Sequence, residues 1–294
     1  MKSFNRLSKV VFTLILMLFV VNDLMPQAVD IYDGTTSPQV KEAVPGPVLA
    51  PLRDPVLYNN GGITTHTGTG YGGGDISMVQ NITFGLNTLG FGHQHSLGYK
   101  IADDFTVPAG PGWNITGVSF YAYMTGSGTS SPFTAVYFEI WNGDPMEPTS
   151  TAIFGDFVTN RLTTTGFSNI YRLMESDDPL KNNRAIMSNY CAFNLILGPG
   201  TYWIVWNTDG ACECSGPWIP PVTVFNVNLA GNALQYTTAW GGAYDTGTMT
   251  QQAMPFILYG LVNGGSVIPV AGWALAIGLI LIIGLAVLRY RRIL

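Results

Sequence analysis

NITGVSFYAYMTG, residues 114–126, and PFTAVYFEIWNGDP, residues 132–145, alternate along their length in a way that only an extended chain can use. In the first, Val118, Phe120 and Ala122 share one face while Ser119, Tyr121 and Tyr123 share the other, because successive strand side chains point to opposite sides. In the second, Val136, Phe138 and Ile140 fall on one side and Tyr137, Glu139 and Trp141 on the other. The Asn142-Gly143 pair then marks a turn. Both stretches read as half-apolar strands.

Working outward, similar runs recur at residues 77–86, 100–108, 170–174, 190–197, 201–208 and 254–260, each bounded by Gly, Pro, Asn or Asp. Eight to twelve strands are expected, and no stretch between residues 56 and 260 carries a helical period over three turns. Charged residues make up only 11% of the chain, with 35 glycines and 12% aromatics, a composition of turns and strands that amphipathic helices cannot use. The expected fold class is all-β: an antiparallel β-sandwich, jelly-roll-like, over residues 56–262. Residues 29–55, punctuated by Pro, Val and Gly, read as a linker or leading extended segment.

Both ends carry export logic. Lys2, Arg6 and Lys9 precede an uncharged apolar run over residues 10–21, the charged and hydrophobic regions of a secretory signal peptide assigned here to residues 1–28, with Ala28 as its last residue. That run is too short to span a bilayer, which needs about 20 apolar residues. At the other end, residues 270–288 carry no charge, and as a helix they would reach across roughly 28 Å of hydrocarbon. Arg289, Arg291 and Arg292 follow at once, and basic flanks stay on the cytoplasmic side. The chain is therefore expected to be exported and membrane-anchored or sorted to the cell surface, with its tail inside before processing.

The tail from Ile268, IPVAGWALAIGLILIIGLAVLRYRR, resembles the tripartite sorting signals of the PEP-CTERM and IPTL-CTERM kind: a short proline motif, a hydrophobic helix and an arginine cluster. Pro269 and Trp273 match the Pro and Trp of the motif, and Arg289, Arg291 and Arg292 match its basic end, while Ala271 and Gly272 stand where an acidic residue is usual. The resemblance implies a membrane partner, an exosortase-type sorting enzyme, and a sorting signal over residues 267–294. The middle also resembles the uncharacterised ectodomains that carry such tails, through Ala102-Asp103-Asp104-Phe105, Val107-Pro108, the strand from Trp113 to Tyr121, Trp141 to Pro145, Gly200-Thr201-Tyr202-Trp203 and Leu258-Tyr259-Gly260. That likeness implies an extracellular β-sandwich and no reaction.

Candidate chemistry is sparse. A net charge of −5 with scattered cations offers no stripe for nucleic acid. Cys212 and Cys214 flank a single Glu, an awkward separation for a bridge, so the expected disulfide joins Cys191 with Cys212 or Cys214. His93 and His95 would share a face on a strand, with His66 the remaining histidine, yet a metal site needs three or four ligands in set geometry, so none is assigned. Asp103 and Asp104 face opposite ways on a strand and cannot act as an acid and base pair. Asp104 or, in the Gly-rich turn, Asp75 is a candidate ligand for Ca²⁺, against the plainer role of Asp in turns. The run at residues 61–75, GGITTHTGTGYGGGD, lacks the Gly-Lys-Ser/Thr ending of a phosphate loop, and no G-x-S-x-G elbow is present.

Aromatics are the surplus. Trp141, Trp203, Trp206, Trp218 and Trp240 could stack on sugar rings if several were exposed together, although large aromatics on strands mostly fill cores. Trp203 and Trp206 fall on opposite faces of one strand. Trp218 and Trp240, in Gly- or Pro-rich settings, are the candidate ligand-stacking residues. The leading functional expectation is a non-catalytic surface or matrix protein with an adhesive or structural role; the alternatives are a carbohydrate-binding, lectin-like module, with polysaccharide or extracellular matrix as partner, and an extracellular hydrolase.

Overall fold

A computed structural model describes residues 26–31 and 53–264. The charged and hydrophobic regions of the expected leader, residues 32–52 of the expected linker, and the sorting tail with Pro269, Trp273, Arg289, Arg291 and Arg292 lie outside the described residues. Among the described residues no helix is long and apolar enough to cross a membrane.

Fifteen strands follow one another: β1 Val29–Ile31, β2 Val56–Asn59, β3 Asp75–Val79, β4 Thr88–Gly92, β5 Lys100–Val107, β6 Trp113–Thr125, β7 Phe133–Trp141, β8 Ala152–Asp156, β9 Thr164–Met174, β10 Ala185–Leu197, β11 Gly200–Gly210, β12 Ser215–Ile219, β13 Leu234–Tyr236, β14 Trp240–Gly242 and β15 Phe256–Val262. Two single turns of 3₁₀ helix, Tyr71–Gly73 and His95–Leu97, complete the regular structure of the described residues. The described residues are all-β and build two sheets. Only the first three residues of the run at residues 77–86 are strand; beyond Val79 the chain turns, with Phe84 N bonded to Gln80 O, and leaves Ile82 71% exposed.

The thirteen-residue β6 organises the larger, nine-stranded sheet. One of its edges pairs with β10 from Met187↔Ala122 to Leu197↔Trp113. The other edge is divided: β15 takes the part from Trp113 to Phe120, and β12 takes Tyr123 and Thr125. Beyond these neighbours lie β4 and β1 on one side and β9 and β3 on the other, β3 joining β9 in parallel. The second sheet has six antiparallel strands in the order β14-β13-β5-β11-β7-β8.

One core draws on both sheets. Val118, Phe120, Cys191, Phe256 and Leu258 come from the nine-stranded sheet; Ile101, Phe105, Phe138, Ile140, Ile204 and Trp206 come from the six-stranded one. Phe120 lies with its ring centroid 4.9 Å from that of Trp206 and 5.8 Å from that of Phe138. The other face of β6 is not left to water, since Tyr123 is fully buried among Ile63, Leu89, Ile170 and Ile186. Beside that cluster Arg172 of β9, 1% exposed, donates to Leu89 O, Ser77 Oγ and Thr223 Oγ1 at 2.7–2.9 Å, and burial lowers its pKa to about 10. A buried guanidinium is tolerable because its donors are spent on acceptors.

The expected pairing of Cys191 is corrected. Cys212 and Cys214 are bonded to each other, with Cα atoms 5.2 Å apart, and Cys191 is a free thiol. Cys191 sits opposite Val118 inside the core, whereas the 212–214 loop follows β11 and rests on Met124, so neither loop sulfur reaches Cys191 without breaching the sheet.

Replacing Phe120 by Ala should cost about 3–5 kcal/mol, the usual penalty for removing a buried aromatic, whereas Ile82→Ala should stay within about 0.5 kcal/mol. Urea unfolding of both variants measures this. Similar losses from the two would mean that the core lies elsewhere.

Candidate outward aromatic face and cleft

The six-stranded sheet has two faces, and the parity of its strands sorts them. Trp203 and Val205 of β11 point away from the core that holds Ile204 and Trp206. In register with them stand Trp141 and Glu139 of β7 on one side, and Asp104 and Ala102 of β5 on the other. Leu234 of β13 continues the row beside Ala102, and Tyr236 with Trp240 of β14 lies one pair further along. The result is a second apolar cluster, Ala102, Trp203, Val205 and Leu234, with partly buried Trp141, Phe157 and Trp240 packed against it.

Polar groups fix these rings. Trp141 Nε1 donates to Glu139 Oε2 at 2.9 Å. The Lys100 ammonium lies 4.3 Å from the Phe157 centroid and 5.2 Å from that of Tyr236, within the range of cation–π attraction. Tyr236 and Trp240 meet edge to face at 5.4 Å. At the Trp203 end opens a cleft of about 330 Å³, with Trp203, Leu234 and the backbone at Gly241-Gly242 on one side and Asp144, Met146, Asn232, Tyr244 and Gln251 around it. No Lys or Arg is among the described lining residues. A Cβ at Gly242 would meet the Tyr244 ring at 2.6 Å, so a larger residue there would displace that ring.

The two tryptophans singled out in the sequence are not brought together. Trp240 belongs to this face; Trp218 is on β12 of the other sheet, packed on the cluster of Ile63, Leu89 and Tyr123, with its Nε1 buried and unpaired. Trp141 and Trp203 take the place expected of Trp218. Their signal was legible as parity: Trp141 shares the outward row with Tyr137 and Glu139, and Trp203 must oppose Trp206. Phe157, Tyr236 and Leu234 carried no comparable signal, since they lie in or beside short strands and loops.

The three histidines stand in three places. His93 is fully buried, Nε2 2.8 Å from Thr208 Oγ1, and burial drives its pKa down to about 3. His95 stacks on Tyr137 at 3.9 Å, and His66 packs on Phe225 at 4.6 Å. Asp75, which accepts Gly68 N, and Asp104, which accepts Asn232 Nδ2, lie on different sheets. Among the described residues no group of three or more His, Cys, Asp or Glu side chains converges.

Asp103 points from β5 into the interior and is 1% exposed. Its carboxylate accepts Met254 N at 2.6 Å, Asn60 Nδ2 at 2.8 Å and the neighbouring Asp104 N at 2.8 Å, tying β5 to the chain around β2 and β15. Burial nevertheless outweighs these donors and raises its pKa from 3.8 to about 7. Tyr58 is pushed up to about 12, by burial first and then by Asp104 and Asp103.

Compared with known proteins, the chain matches no family model, no curated protein and no solved structure.

Between pH 4 and 7 the folded protein holds the Asp103 proton that the unfolded chain has released, so this group stabilises the fold most below about pH 4 and its contribution falls as pH rises to 7. His93 imposes the opposite slope, because its folded pKa is depressed. The measurement is therefore the stability difference between wild type and Asp103→Asn by urea titration at pH 4, 5.5 and 7, in which His93 cancels. Relative to the variant, wild type should lose stability steadily across that window. A constant difference contradicts the assignment.

Proposed function

We propose that the chain is an exported, non-catalytic protein displayed outside the cytoplasmic membrane, with a jelly-roll-like β-sandwich as its working part, and that it acts by adhesion to uncharged polysaccharide. The observation that carries the binding half is the outward face itself: the partly exposed indoles of Trp141 on β7 and Trp240 on β14 pack against the buried Trp203 of β11 on one side of a sheet, next to an open cleft. Flat aromatic surfaces complement the C–H faces of sugar rings, and a concave site with a few placed polar groups fixes orientation. Asn232 and Gln251 offer carboxamides, each steadied by one hydrogen bond, to Asp104 Oδ1 and to Ala233 O. With Asp144 at the rim and no cation among the lining residues, neutral glycans suit the cleft better than polyanionic ones.

Export rests on the two ends of the sequence: basic residues and a short apolar run at the start, and a long apolar run followed by Arg289, Arg291 and Arg292 at the finish. An exosortase-type enzyme acting on the tail is the sorting partner that the resemblance implies. Against the hydrolase reading, the carboxyl whose pKa lies near neutrality, Asp103, faces the interior and is held by three donors, out of reach of a substrate.

Retention on insoluble cellulose, xylan and chitin is the test of binding. Trp240→Ala combined with Trp141→Ala should lower retention at least tenfold, and Trp218→Phe, on the other sheet, should leave it unchanged. Equal retention of the double variant and wild type, or no retention of wild type on any of these glycans, refutes the glycan reading. For topology, protease added outside spheroplasts should digest residues 53–264 and spare the tail from Arg289; protection of the middle refutes export.

A further inference from the structure

The first described residues, 26–28, fall within the leader as drawn from the sequence, yet the fold uses every one of them. Pro26 O accepts Thr237 Oγ1 at 2.8 Å, and Gln27 Oε1 accepts Tyr244 N at 2.7 Å. Ala28 is held by both ends of one carboxamide: its N donates to Gln235 Oε1 at 3.1 Å and its O accepts Gln235 Nε2 at 2.7 Å. Ala28 O also accepts Gly92 N. Gln235 is 3% exposed and spends its remaining donor on Gly92 O at 2.8 Å.

The seat is shaped for this segment. A Cβ at Gly92 would stand 2.7 Å from Gln94 Oε1, 2.9 Å from Ala28 Cβ and 3.1 Å from Ala28 O, so a larger residue at position 92 would crowd Ala28 as well as the Gln94 side chain. Two residues on, Asp30 Oδ2 accepts Tyr123 Oη at 2.8 Å and Thr125 Oγ1 at 3.0 Å, and stands 3.6 Å from Arg184 Nε, itself almost fully buried. Pro26, Gln27 and Ala28 therefore engage the β13 and β14 end of the six-stranded sheet, while β1 pairs with β4 and Asp30 engages β6 of the nine-stranded one. The segment is a staple across the seam between the two sheets.

We infer that residues 26–31 belong to the mature protein, and that the processing site of the exported chain is a peptide bond upstream of Pro26 and not the bond after Ala28. An export-associated peptidase adds water across that bond, leaving a new carboxylate on the released leader and a new amine on the mature chain. Cleavage after Ala28 would remove both Ala28 partners of Gln235 and the partners of Thr237 Oγ1 and the Tyr244 amide together, and with them half of the staple. The inference rests on the export reading above.

The experiment uses the full chain, produced in a bacterium with both of its ends intact, and reads the amino terminus of the product outside the cytoplasmic membrane by peptide mass spectrometry. The expected terminus lies at or before Pro26, with Gln27 and Ala28 retained. A terminus at Val29 overturns the inference while leaving export standing. A product confined to the cytosol and beginning at Met1 sinks the export reading instead, and the staple is then decided by melting. Gln235→Leu and Gly92→Val should each lower the Tm by roughly 5 °C and expose the bonds near residue 31 to protease; an unchanged Tm in both overturns the staple.

Discussion

Both edges of β6 are hydrogen-bonded, and both of its faces are buried along much of its length. An interior strand of that kind tolerates almost no polar side chain, because every polar atom must find a partner inside the protein. The chain around it answers this demand. Ser119 Oγ accepts Arg53 Nη1 at 2.9 Å, and the Tyr123 hydroxyl finds Asp30. The sharing of one edge between β15 and β12 lets a single strand pair with three others, through which β4 and β1, β2, and β9 and β3 are joined to the same sheet.

Alternation in the stretches at 114–126 and 132–141 fixes which side chains share a face, and those faces are found in β6 and β7. Periodicity is a local property, so it could reveal the opposition of Trp203 and Trp206 and the outward row of Tyr137, Glu139 and Trp141. It is silent about edges. That β12 and β15 divide one edge of β6, or that Val29–Ile31 adds to β4, depends on partners dozens of residues away and leaves no period behind. The same limit explains Trp218, whose Pro- and Gly-rich surroundings suggest exposure but which tertiary packing folds against Leu89 and Tyr123. It explains the cysteines as well: separation along the chain says how easily two sulfurs meet, but only the fold puts Cys191 on the interior side of β10.

Asp103 shows how a fold can use a charged residue type without using it for chemistry. The alternation of β5 placed it opposite to Asp104 and in one row with Ile101, Phe105 and Val107, so its inward direction was legible, whereas its partners at Asn60 and Met254 were not. There it acts as a triple acceptor joining segments from both sheets, and its raised pKa follows from dehydration rather than from any task. On the opposite face of the same sheet, water is displaced by indole and phenyl rings instead. One sheet thus combines a side facing the shared core and an aromatic outer side, separated only by the direction in which successive Cβ atoms point.

The outermost strands of the two sheets have a further consequence. β1 and β14 are three residues each, β2 is four, and β3 is covered at its rim by the bridge between His66 and Ile76. β8 is interrupted by Gly155 in a left-handed conformation, where a Cβ would strike Phe138 O. Long unpaired margins invite strands of adjacent molecules to zip together. A molecule with margins this short can crowd against its own copies and still keep its sheets to itself.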